Sequence, residues 1–324
     1  MYGFMDMHCD TLMKLRNAEK KEIHESMRSR DGHLDLLRLR DAGYWMQTFA
    51  AYVDLEEEDD PAVACLEMID IFWREMAANK DLVSPVTTAA EVKKNQSEGK
   101  LSALLSIEEG GTCKGNLSLL RDYYRLGVRM MTLTWNYENE IAWPNTTDCG
   151  EGTHFGLKET GIAFVEEMER LGMLIDVSHL SDDGFYDVYK YTKGPFIASH
   201  SNARAVCGHR RNLTDDMIRK LAERGGVTGI NLSANFTNEP KNGEPAFGTI
   251  EGLVRHVRHI ANVGGIGCIG LGTDYDGIGN RIELTECSKM PLFAEALKKA
   301  GFHESEIDDI CHNNVLRVMQ DVLK

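Results

Sequence analysis

Six residues of this 324-residue chain carry side chains suited to binding metal and moving protons, and each stands where a short β-rich run ends: His8, Asp10, Glu108, His179, His200 and Asp274. Imidazole and carboxylate donors with no thiolate motif beside them suit zinc, and manganese or cobalt would also fit. The spacing His8-Cys9-Asp10 places residues i and i+2 of a strand on one face, so that one imidazole and one carboxylate reach the same ion. Alone, such a pair is more often incidental. A lone His179, in Ile175-Asp176-Val177-Ser178-His179, or a lone His200, in Ile197-Ala198-Ser199-His200-Ser201, is more often a core histidine bonded to backbone carbonyls. Three histidines and three carboxylates at consistent strand ends outweigh those separate readings. Five ligands exceed what one catalytic zinc takes, which points to two Zn2+ ions sharing a carboxylate such as Glu108. Asp274 is then left over, suited to shuttling a proton. Asp276 rivals it less strongly, because it begins the following Gly-rich turn. Glu109 competes with Glu108; neighbours on a strand point oppositely, so one of the two faces the site, and spacing does not choose which.

Strand-like runs at 4–9, 44–53, 102–107, 129–134, 174–178, 196–199, 227–232 and 268–272 alternate with helical periodicity. The clearest helix is 212–224, with Thr214 placed to cap, Asp215 and Asp216 in the first turn, and Gly225-Gly226 as the stop. Ser181 opens another, and 160–171 puts Ile162, Val165, Met168 and Leu171 on one side. Eight βα repeats predict a (β/α)8 TIM barrel in which all strand ends converge on one mouth. An open doubly wound sheet is the alternative, but no Gly-rich phosphate fingerprint follows the first strand. The expectation is one catalytic domain over 1–324, with a long loop near 136–158 and a C-terminal helical extension at about 304–324.

The formal charge of −15 and the absence of a basic run exclude nucleic acid and anionic membranes as partners and favour a small molecule. The acidic run Glu56 to Asp60 reads as a solvated loop face. No basic-then-apolar leader opens the sequence and no apolar stretch approaches the roughly 20 residues that cross a bilayer, so a cytoplasmic location is expected. The eight cysteines are scattered singly and read as reduced packing residues.

With their surroundings, these residues resemble the membrane dipeptidase (renal dipeptidase) family, peptidase family M19, in a soluble bacterial-type form. The likeness runs along nearly the whole chain: His8-Cys9-Asp10-Thr11, Ile107-Glu108-Glu109-Gly110-Gly111, Leu126-Gly127-Val128-Arg129 to Leu133-Thr134, Asp176-Val177-Ser178-His179, Ser199-His200-Ser201 with Arg210-Arg211-Asn212, and Gly272-Thr273-Asp274-Tyr275-Asp276-Gly277. The resemblance implies that His8 and Asp10 hold one zinc, that His179 and His200 hold the other, and that Glu108 bridges them, with Glu109 where the family commonly has Gly. It also implies that Arg211 takes the substrate's terminal carboxylate, that Asp274 transfers the proton, and that the enzyme forms homodimers. A guanidinium fork fits a carboxylate physically, although a helix-flanking surface Arg is the plainer reading of Arg211 and Arg210 is a possible substitute. One departure stands out: the mammalian members carry a His near the scissile bond where this chain has Trp135, so contacts there pass to Asn136 or to the ions. The function so implied is hydrolysis of dipeptides by attack of a metal-bound hydroxide, with tolerance of a C-terminal D-residue left open. A two-metal TIM-barrel amidohydrolase acting on lactams, cyclic amides or esters is the alternative.

Overall fold

A computed structural model of the chain describes residues 2–147, 153–241 and 243–324. Its strands are β1 (Phe4–Asp6), β2 (Tyr44–Tyr52), β3 (Val83–Val86), β4 (Leu101–Glu108), β5 (Val128–Thr132), β6 (Leu174–Asp176), β7 (Ile197–Ala198), β8 (Val227–Ile230) and β9 (Ile269–Leu271). Strands covered on both faces need apolar or small residues throughout. β4 meets that demand from Leu101 to Ile107 and breaks it at Glu108, with all eight residues of Leu-Ser-Ala-Leu-Leu-Ser-Ile-Glu buried. Parallel pairing runs β1–β2, β2–β4 and on through β5, β6, β7 and β8 to β9, which pairs back to β1. Eight strands thus close a barrel wrapped by helices, as expected.

β3 was not among the expected strands. It pairs with residues 101–104 of β4, and β5 takes over at 105–108. Pro85 in Val-Ser-Pro-Val masks the signal, since proline is confined to strand margins. Except at β4, which extends to 101–108, the expected runs are also longer than the strands found, and at three of them the reason is shared. Beyond β1, the His8 N–H donates to Asp6 Oδ1 at 3.2 Å; beyond β6 and β7, the Ser178 and Ser199 N–H groups donate to Asp176 Oδ1 at 2.9 and 2.8 Å. Side-chain carboxylates replace the ladder where the strands open into the mouth.

The helices follow their caps. Thr214 accepts from the Met217 N–H at 3.2 Å and starts Asp215–Glu223, a later start than 212 because the Asn212 side chain staples the preceding loop to Cys207 and Phe236. Ser181 caps Asp182–Tyr191, and Glu159–Leu171 ends on left-handed Gly172. The chain is helical from Glu304 to Val322, with a π-helical turn at Asp309–Asn313. Val315, Val318 and Met319 of this last segment pack with Met5, Met7, Met46, Leu104 and Met130 in a cluster separate from the main core. Each such side chain taken from water contributes roughly 1.5–3 kcal/mol. This cluster plugs the N-terminal end of the barrel and leaves the C-terminal mouth as the opening. Residues 148–152 of the long loop lie outside the described residues, as does Cys149; the other seven cysteines are free and buried. Among the described residues no helix is long and apolar enough to cross a membrane.

Candidate active site

The barrel brings the six expected residues to one place. His8 Nε2 lies 3.0 Å from Glu108 Oε2 and 3.5 Å from Asp10 Oδ2; across the site, His179 Nε2 lies 3.1 Å from Glu108 Oε1 and 3.1 Å from His200 Nε2. The His8 and His200 rings stack at 4.0 Å. Three overlapping groups have ligand atoms within 4.8 Å of one another: His8 with Asp10 and Glu108, Glu108 with His179 and His200, and His8 with His200 and Asp274. One expected geometry is corrected. His8 and Asp10 are not alternating residues of a strand, because β1 ends at Asp6 and Asp10 is the residue before helix Thr11–Glu19.

Glu108 and Glu109 point opposite ways. The Glu109 carboxylate leaves the cluster and accepts the Gly111 N–H at 2.6 Å, the Trp135 N–H at 2.7 Å and the Asn139 amide, fastening the loop after β5. Asp274 sits beside the cluster at φ 62°, its Oδ2 accepting from the Asn231 amide at 2.9 Å. His179, at φ 69°, also has left-handed backbone, a strain that persists where the surroundings fix it. Gly277 lets the chain pass close by: a Cβ there would lie 2.6 Å from Asp274 Oδ1 and nearer still to Asp10. Asp276 is elsewhere, buried on Thr11, Arg30 and the His33 N–H.

A cavity of about 730 Å³ opens over the cluster, lined by Asp10, Glu108, His179, Asp274, Trp135, Asn136, Tyr52, Phe236 and Arg211. Arg211 is buried; its Nη1 donates to Ser201 Oγ at 3.2 Å, while Nε and Nη2 have no partner. Arg210 instead donates to the Asn145 and Thr146 carbonyls. Trp135 meets Tyr52 and Tyr137 edge-on at 5.0 and 5.6 Å. Asn136 both lines the cavity and sets its Oδ1 3.2 Å from His179 Nδ1.

Burial pushes His8 down, but the Glu108 and Asp10 carboxylates outweigh it and leave the imidazole well above its usual range. Burial pushes Asp274 up to about 7, with Asp10 and Glu108 adding to it against His8. Burial also lowers His179 to about 4, Arg211 adding to the effect. The donor set fits metal. Nε2 of His8, which faces the cluster, and Oδ1 of Asp10 are buried without a hydrogen-bond partner, a cost of about 1–3 kcal/mol per group that a bound cation would remove. Oxygen and nitrogen donors around a shared carboxylate are what two hard or borderline divalent ions take.

Sequence reasoning did not single out Asp6, Asp176, Ser199 and Asn231, which hold the strand ends beneath the cluster. An acid two or three residues before a candidate histidine was the signal available.

The family model for membrane dipeptidase, peptidase family M19, matches residues 2–324. The chain is 33% identical to dipeptidase aclJ of Aspergillus oryzae over 90% of its own length and 70% of that protein, and 33% identical to mouse dipeptidase 3 over 99% of its own length and 64% of that protein. Among solved structures, dipeptidase AC, an M19 metallopeptidase, superposes with a TM-score of 0.87 at 27% identity, covering 99% of both chains. A Rhodobacter sphaeroides metallopeptidase liganded with a phosphinate mimic of L-Ala-D-Ala does so with a TM-score of 0.87 at 26% identity, again covering 99% of both. The chain belongs to the membrane dipeptidase family, peptidase family M19, a family of metallo-dipeptidases.

Proposed function

We propose that this chain hydrolyses the peptide bond of dipeptides with two divalent ions, zinc first among them, and accepts a D-residue at the C-terminal position. The observation that carries the reading is that one cavity is lined both by Asp10, Glu108 and His179 of the metal-ligand cluster and by the buried, half-unpaired guanidinium of Arg211. His8 and Asp10 would hold one ion, His179 and His200 the other, and Glu108 would touch both. When bound, the ions supply Lewis acidity to the scissile carbonyl and bring the acidity of a water near neutrality.

The chain's own residues do the rest. Arg211 grips the substrate's terminal carboxylate with the two donors it has free, which fixes the reach to a short peptide. Asp274, pushed up to about 7, takes the proton of the attacking water and returns it to the departing amine. Trp135 and Tyr52 shape the wall of the cavity, and Asn136 orients His179. The L-Ala-D-Ala mimic in the similar Rhodobacter sphaeroides enzyme supports the D-residue. The C-terminal helix that plugs the barrel supports reading 1–324 as one catalytic domain. Cytoplasmic residence and a homodimer extend the proposal and are tested by fractionation and light scattering.

Metal analysis by mass spectrometry, run beside hydrolysis of a stereochemically defined dipeptide library with and without chelator, tests ion count, reaction and specificity together. Two ions and chelator-sensitive dipeptide cleavage are expected. Turnover of lactams, cyclic amides or esters with dipeptides untouched would replace this reading by the wider amidohydrolase one.

A further inference from the structure

Beneath the cluster lies a carboxylate that the mechanism does not use. Asp176, the last residue of β6, is wholly buried and accepts four donors, two on each oxygen. Oδ1 takes the N–H groups of Ser178 and Ser199 at 2.9 and 2.8 Å; Oδ2 takes the hydroxyls of Thr132 and Ser199, each at 2.6 Å. It therefore ties the ends of β5, β6 and β7 together directly below His179 and His200.

The Ser199 hydroxyl is the informative member. Its oxygen lies 2.7 Å from His200 Nδ1 as well as 2.6 Å from Asp176 Oδ2. A serine has one proton to give, and an ionised carboxylate can only accept. Ser199 consequently donates to Asp176 and presents a lone pair to His200, whose Nδ1 must carry the hydrogen. The neighbouring Ser178 oxygen, 3.3 Å away, accepts the backbone N–H of His200 at 3.1 Å, which leaves its own hydrogen free to point at Ser199. Every donor in the group then has an acceptor. The consequence appears on the far side of the ring: His200 Nε2 is left as a lone pair, aimed at the space shared with His179 Nε2 at 3.1 Å and Glu108 Oε1 at 3.6 Å.

We infer that Asp176 and Ser199 are positioning residues that lock His200 in its Nδ1–H tautomer and so present Nε2 to a metal ion. The inference rests on the two-ion reading of the cluster. Outer hydrogen bonds of this kind are generally worth about 10–100-fold in metal affinity.

The test separates this role from plain structural support and from failure of the two-ion reading. First, long-range proton–nitrogen NMR of the histidines in metal-free wild type reads the tautomer without any ion: His200 protonated on Nδ1 is expected, and protonation on Nε2 overturns the inference whatever the protein binds. Second, zinc affinities are measured by chelator competition for wild type, Ser199→Ala and Ser199→Thr. Ser199→Ala should lose about 10–100-fold in affinity for one ion and keep the other, and Ser199→Thr, which retains the hydroxyl, should recover most of it. Unchanged affinities in Ser199→Ala, or equal loss of both ions without recovery in Ser199→Thr, overturn it. A wild type that binds fewer than two ions removes the two-ion reading, and the NMR result alone then decides the tautomer.

Discussion

Arg211 reaches Ser201 Oγ through Nη1 at 3.2 Å and leaves Nε and Nη2 buried without a partner. Two unmet donors on a charged group are expensive, at about 1–3 kcal/mol each, and burial already lowers the guanidinium to about 10. A fold keeps such a group when a ligand completes it. Arg211→Met should therefore raise KM for dipeptides by about 10–100-fold, the loss of one charge-assisted contact, with a smaller change in kcat. Its Tm should equal or exceed that of the wild type, because an unmet cost is removed with the charge. Steady-state kinetics and a thermal melt on the same sample check both. An unchanged KM would sink the carboxylate role.

Asp274 is held by Asn231 beside the cluster, and an amide in its place keeps the shape while losing the proton-accepting oxygen. Asp274→Asn should retain the ion content of the wild type and lose about 10²–10⁴-fold in kcat, the range of general acid–base catalysis. Mass spectrometric ion counts and kcat on one dipeptide decide it. Undiminished turnover, or loss of metal in step with activity, removes Asp274 from proton transfer.

How far the sequence carries depends on what kind of relationship positions a residue. His8, Glu108, His179, His200 and Asp274 could be found because barrel topology alone brings strand ends together, so knowing the strands was enough to know the neighbours. Asp6 and Asp176 offer only an acid two or three residues before a candidate histidine, too weak a signal to single them out. Each is a polar residue at a strand end like many others until the fold delivers its donors, such as Thr273 for Asp6 and Thr132 and Ser199 for Asp176. The choice between Glu108 and Glu109 hinged on family likeness, whereas the structure gives its physical cause: Glu109 is consumed by the backbone of Gly111 and Trp135. Trp135 could be flagged as a departure, but its aromatic neighbours Tyr52 and Tyr137 come from other points of the chain or depend on loop geometry that periodicity does not encode.

That aromatic wall leads to a specificity test. The Trp135 backbone is fixed by Glu109 at 2.7 Å, so its ring is presented to the cavity from a rigid base. Trp135→Ala should leave ion content intact and cost substrates with a large apolar side chain about 1–3 kcal/mol in kcat/KM, roughly 10–200-fold, because pocket contacts discriminate at that scale. Ala-Ala should lose much less. Equal losses for small and large dipeptides would mean that the ring supports the fold and does not select substrate.

A last prediction concerns stability away from the site. His256 is fully buried; its Nδ1 accepts the Ala203 N–H at 3.1 Å and its Nε2 faces the Thr237 carbonyl at 3.1 Å, a pattern that a neutral ring satisfies on both sides. Burial lowers it to about 4, although the Thr237 contact works against this. An unfolded histidine titrates near 6.5, so as pH falls below that value the unfolded chain gains a proton the folded chain refuses. The folded state accordingly loses stability from pH 6.5 down to the folded value, by about 3 kcal/mol in all on the scale of 1.36 kcal/mol per unit, and loses nothing from this group above pH 6.5. His256→Gln, which can keep the acceptor for Ala203 without titrating, should be less stable than wild type at pH 7 and should close that gap as the pH approaches 4. Urea midpoints for both proteins across this range give the comparison, and parallel curves would show that His256 contributes nothing to acid sensitivity.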